Sequence, residues 1–165
     1  MKRVVSNASP LIILAKVGQF ERLRDLFGRI EISPQVREEV VDRGKGRAGA
    51  QEVSSAGYVV TTPVKSAGRI AEIREGYQIA AGEASTITLA EEMGADLVLM
   101  DDRQARAAAR SIGLKVVGTL RVLEMAYEGG HLSDLRSTYK TLKASTSRIR
   151  PSLIDASLRR LGLST

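Results

Sequence analysis

The 165 residues, 43% of them apolar, suffice for one domain with a substantial core and fall short of two. The absence of cysteine excludes a disulfide framework and a thiolate metal site and fits a cytoplasmic location, while Ser6, Asn7, Ser9 and Pro10 interrupt the first apolar stretch, so it is neither a signal-peptide core nor a membrane span. The net charge is +6, of which +5 falls after residue 130; this basic zone makes nucleic acid the leading partner class, and with 4% aromatics backbone contacts must dominate over base stacking.

The adjacent valines of residues 2–6 form a short buried strand, and Ser9-Pro10 supplies an N-cap and a first-turn proline for the helix that follows. Gly18 ends that helix. Phe20, Leu23, Leu26 and Phe27 recur at helical spacing in a second one, stopped by Gly28, and Glu31-Ile32 is a brief strand. Ser33-Pro34 repeats the serine-proline start for a helix through Val41, where Val36, Val40 and Glu39 share the inward side and Glu38 turns away. Residues 43–47, alternating arginine or lysine with glycine, are a loop.

A helix and a strand over residues 58–61 come next, and residues 63–82 carry too weak a periodicity to define an element. Gly82 opens a helix through Met93 in which Glu83, Ile87 and Ala90 share a face. Residues 96–100 are a strand, 102–112 a helix, 115–117 a strand and 120–127 a helix. Such alternation implies a parallel sheet. Two closing helices follow, one carrying Leu132, Leu135, Tyr139 and Leu142, the other begun by Pro151 with Ile154, Leu158 and Leu161 on one face.

Ligands of open α/β sheets bind beyond the carboxyl ends of the strands, which directs attention to Asn7 and the Asp101-Asp102 pair. Asn7 also reads as a turn residue, Asp102 as an N-cap and Glu83 as a charge complementing its helix N-terminus. Asp101 has no such ordinary role, because the helix needs only one cap. Several carboxylates at one sheet edge repel unless protons or cations intervene, and hard oxygen donors favour Mg²⁺ or Mn²⁺ over structural zinc. The lone His131 sits in a Gly-Gly-His turn and reads as a surface residue.

The segments VVSNASPLIILAKVG, PQVREEV, AGEASTITLAEEMGADLVLMDDRQAR and VVGTLRVLE, in this order, resemble the PIN domain family, and within it a branch related to the VapC-type toxins. The resemblance spans residues 3–128. It implies a three-layer α/β/α fold with a central, mostly parallel sheet, and a single domain over residues 1–165 with a core of 1–128 and a helical extension of 131–165. It also implies a metal-dependent endoribonuclease that cuts RNA with Glu39, Glu83 and Asp101 as catalytic carboxylates. Asn7, Glu39, Glu83, Asp101 and Asp102 would hold Mg²⁺ or Mn²⁺; the aspartate pair matches the family's last acid in either register.

Ser9 matches a supporting hydroxyl residue, and Arg103 and Arg106 stand where substrate phosphates would pass. An antitoxin partner and a homodimer are implied as well. Asn7 departs from the aspartate usual at its position, which lowers the electrostatic attraction for a cation while leaving an amide oxygen to ligate it. A weakened, non-cleaving module is therefore the alternative. Two other α/β readings fit poorly: a receiver domain needs its acid pair after the first strand, and SNASP lacks the glycine-rich turn of a dinucleotide site.

Overall fold

The computed structural model describes residues 2–145 and 148–164. Five short strands, β1 (Val4–Ser6), β2 (Ile30–Ile32), β3 (Val59–Thr61), β4 (Leu97–Leu99) and β5 (Val116–Val117), form one sheet in the order β3-β2-β1-β4-β5, with every neighbouring pair parallel. In register, Val5 lies against Glu31 on one side and Val98 on the other. Parallel strands need crossover helices, and these cover both faces.

Alternation along the strands assigns each face its own core. Val4, Ile30, Ile32, Leu97 and Leu99 join the larger cluster, whereas Val5, Val98, Met100 and Val116 point to the opposite side. The larger cluster is covered by α1 (Ala8–Lys16), α2 (Arg22–Phe27), α8 (Thr119–Glu128), α9 (Leu135–Ser145) and α10 (Pro151–Arg160), through Leu11, Leu14, Leu23, Leu123, Leu142 and Ile154. The smaller cluster lies under α5 (Ala67–Tyr77), α6 (Ala81–Met93) and α7 (Arg103–Ser111). The result is a three-layer α/β/α fold with an all-parallel sheet.

Between β2 and β3 the chain forms α3 (Pro34–Arg37), continued by a π-helical turn over Glu38–Asp42, and then α4 (Ala50–Ser55). Gly44 lies so flat on the end of the π turn that a Cβ there would approach the Val40 carbonyl oxygen to 2.2 Å, so only glycine fits.

Two sequence expectations change. Ser9 is not the cap of α1: the helix begins at Ala8 with Asn7 as an extended N-cap residue, and Ser9 turns inward within the first turn. Residues 67–77 are helical although their periodicity is weak, because Ile73 is the only side chain of α5 that is buried. No helix among the described residues is long and apolar enough to cross a membrane.

Candidate functional site

The sheet order places β1 between β2 and β4, so the winding direction reverses where β1 meets β4. A crevice opens at such a point beyond the strand ends. Here it is a cleft of about 1100 Å³ whose lining includes Asn7, Ser9, Glu39, Glu83, Asp101 and Asp102. The structure therefore brings together every candidate residue read from the sequence, along with Arg103 and Arg106.

Asn7 follows β1 directly. Its backbone N–H is held by the Leu99 carbonyl at 2.9 Å, and its side chain makes no capping hydrogen bond. The residue is 6% exposed. The Thr86 hydroxyl gives its one proton to the Gly82 carbonyl at 2.8 Å, so its 3.4 Å approach to Asn7 Oδ1 leaves that oxygen available to the cleft. Gly82 opens a space beside it: a Cβ there would stand 3.8 Å from Glu39 Oε2 and 3.9 Å from Asn7 Oδ1.

Glu39 reaches this point from the π turn. In a regular helix it would share the inward side with Val36; the wider turn keeps Val36 and Val40 buried but leaves Glu39 exposed at the cleft, while Glu38 points to Arg43. A buried hydroxyl chain fixes its helix against α6. The Val36 N–H donates to Ser33 Oγ at 3.1 Å, Ser33 and Ser85 share a 2.7 Å bond, and Ser85 Oγ donates to the Gly82 carbonyl at 2.8 Å.

Glu83 is half-buried in the first turn of α6, where Oε1 accepts the Ala80 N–H at 3.1 Å. Desolvation pushes its pKa up, the Ala80 bond opposes this, and the negative charges of Asp102 and Glu39 add to the rise. Glu83 thus feels the charges of two carboxylates from other elements across the cleft.

The aspartate pair divides its work. Asp101 Oδ1 accepts the Thr119 N–H at 2.7 Å, and Oδ2 accepts the Thr119 and Ser9 hydroxyls at 2.7 and 3.0 Å. It ties the end of β4 to the starts of α8 and α1. Asp102 caps α7 through the Ala105 N–H at 2.9 Å with Oδ1, as its ordinary reading expects, and its exposed carboxylate also faces Glu83. Gly118 makes the Asp101 clamp possible, since a Cβ there would meet Arg106 Nη1 at 2.7 Å and Asp101 Oδ1 at 2.9 Å. Burial lowers the pKa of Arg106, with Arg110 adding to the fall and Asp101 opposing it.

Among the described residues no three acidic or histidine side chains form a tight, ready-made metal cage. The donor set is nonetheless chemically suited to a hard divalent ion, with carboxylate and amide oxygens only, a gap above Gly82, and exposed Glu39 and Asp102 side chains able to turn inward. Arg43, Arg47, Arg110, Arg148 and Arg150 also line the cleft, and motif reasoning missed them. The charged glycine loop and the basic tail were the sequence signals for four of them, and Arg110 lies one turn along α7 from Arg106.

An α/β domain that presents carboxylates beneath an arginine rim, at the reversal point of a parallel sheet, has the layout of a protein that meets a polyanion at a cation-binding site. The chain belongs to the PIN domain family: a family model described as a PIN domain, DUF3368, matches residues 3–163. PIN domains are generally nucleases that use divalent metal ions on nucleic acid. No curated protein matches the chain.

Proposed function

We propose that this PIN domain is a Mg²⁺- or Mn²⁺-dependent endoribonuclease whose cleft admits RNA to Asn7, Glu39, Glu83 and Asp102, with Asp101 holding the floor in place. The observation that carries the reading is the approach of Asn7 Oδ1 and Glu39 Oε2 to one point above Gly82, beside a half-buried Glu83 of raised pKa. A divalent ion bound there would supply Lewis-acid stabilisation of the charge that develops on the phosphate.

The side chains supply the rest. Glu83 is the carboxylate best suited to take a proton, because its pKa is displaced toward neutrality. Hydrolysis joins a water oxygen to phosphorus and breaks one backbone P–O bond; one water proton passes to Glu83, and the departing oxygen takes up a proton in turn. Arg103 and Arg106 enter from α7 at the cleft and hold substrate phosphates. Asp101, whose oxygens accept three hydrogen bonds, acts as a positioning residue.

The same reading makes the protein a cytoplasmic toxin of the VapC-related kind, one domain throughout, paired with an antitoxin that blocks the cleft and assembled as a homodimer. The resemblance of its motifs to that branch supports this. A second reading, a PIN module that binds nucleic acid or a protein without cutting, is favoured by Asn7 at an aspartate position and by the lack of a preformed cage among the described residues.

Incubating the protein with a mixed RNA pool in Mn²⁺ or EDTA, beside Glu83→Gln, separates the two. The nuclease reading requires cleavage that EDTA stops and the substitution reduces by about 10²-fold or more. No metal-dependent cleavage, or equal cleavage by the variant, would leave the binding module standing.

A further inference from the structure

The cleft is also lined by residues that follow no strand. Arg148, Arg150 and Leu153 line it along with Glu83 and Asp102. They arrive there because α10 is seated firmly beyond them. Ile154 and Leu158 are buried in the core, and beneath the helix Tyr139 Oη meets Ser157 Oγ at 2.6 Å while Ser157 Oγ donates to Glu124 Oε2 at 2.5 Å. Arg160 pairs with the same Glu124 carboxylate, which is 1% exposed. Stripping partners from a buried charge is costly, so this network holds α10 to one position. Pro151 at the first helical position starts the helix at the cleft.

The lining is basic and lacks stacking surfaces. Among the described residues, eight lysine and arginine side chains share the lining with four carboxylates and no aromatic residue. The cations come from α1, residues 43–47, α7 and the stretch before α10. Such a surface recognises a backbone of phosphates rather than base faces. The carboxylates share the cleft with these cations, and a flexible single strand can bend into it, whereas a duplex is stiff over roughly 150 base pairs. Leu153, 53% exposed despite its apolar side chain, offers contact to a base or sugar.

We infer that residues 148–153 are a phosphate-gripping wall, and that a single-stranded nucleic acid lies between it and the arginines of residues 43–47 and α7. The inference rests on the nucleic-acid reading above but not on cleavage. The test uses the full chain in EDTA with fluorescein-labelled strands of about 12 nucleotides, RNA and DNA of one sequence and the RNA duplex, followed by anisotropy between about 50 and 200 mM NaCl.

The Arg148→Ala/Arg150→Ala double variant should bind RNA about tenfold more weakly at low salt, with the slope of log K on log salt flatter by about 1.4, two phosphates' worth. Arg150→Glu should weaken binding further, and Arg159→Ala, on the same helix outside the cleft, should match wild type. A preference for RNA over DNA that the double variant loses assigns a 2′-hydroxyl contact to the wall; equal binding of the two by wild type assigns phosphates alone. Unchanged affinity and slope in the double variant and in Arg150→Glu, or no binding by wild type, overturns it, and tighter binding of the duplex overturns the single-strand assignment. Arg150-dependent binding in EDTA, with no cleavage of the same RNA in Mn²⁺, removes the nuclease reading and keeps the wall; cleavage in Mn²⁺ indifferent to Arg148 and Arg150 does the reverse.

Discussion

Glu83 holds its proton more tightly in the fold than in the unfolded chain, because burial and the charges of Glu39 and Asp102 oppose ionisation. A raised carboxyl pKa contributes stability that is present below the unfolded value and lost as pH rises through the folded one. In metal-free protein at neutral pH, Glu83→Gln should therefore raise the thermal midpoint by about 1–4 °C, with the gain vanishing below about pH 4. A gain that persists in acid would assign it to packing instead. Asn7→Asp should act oppositely: a carboxylate at a position 6% exposed lowers the metal-free midpoint, and Mn²⁺ restores it with affinity increased about tenfold. Thermal unfolding reads the first effect and isothermal titration the second. These positions were legible in the sequence because strand ends and first helical turns locate them. Of the aspartate pair, the Asp102 cap was legible too, whereas the Asp101 clamp was not, since it depends on Thr119 and Ser9, which lie 18 and 92 residues away.

At the scale of elements, the joint between β4, α8 and α1 is held by the Asp101 clamp and has no room for a side chain at Gly118. Gly118→Ala should cost about 1–3 kcal/mol in urea unfolding, as inserted methylenes do when neighbours must move. A neutral substitution would show that Arg106 yields freely and that the clamp is loose. Most elements could be read from the chain because buried strands, proline starts and glycine stops carry local signals; Ser33 and Gly28 act as such signals require. The failures have physical causes. α5 buries only Ile73 and so shows little period, and the π turn moves Glu39 off the face that regular helical spacing assigns it.

Across the whole molecule, the C-terminal helices are part of the core rather than an appendage, with Leu135, Leu142, Ile154 and Leu158 in the same cluster as β1 and α1. Motif resemblance ended at residue 128, whereas the family match runs to 163, which agrees with that packing. Sequence periodicity revealed the apolar faces of these helices but not the Tyr139–Ser157–Glu124 network beneath them, which only folding assembles. Desolvation raises the Tyr139 pKa to about 12. Its stabilising contribution should be complete below pH 10 and disappear as pH rises through about 12. Alkaline unfolding followed by circular dichroism should accordingly be shallower in Tyr139→Phe than in wild type; identical pH profiles would count against burial of the phenol.

The most direct test of the central claim, that oxygen donors gathered at the strand ends hold a divalent ion, is an electron paramagnetic resonance titration of the protein with Mn²⁺. Saturable binding that the Glu39→Gln/Glu83→Gln double variant loses, with its fold intact by circular dichroism, is the predicted result. Mn²⁺ that remains free in solution with wild type, or that binds the double variant equally well, would contradict it.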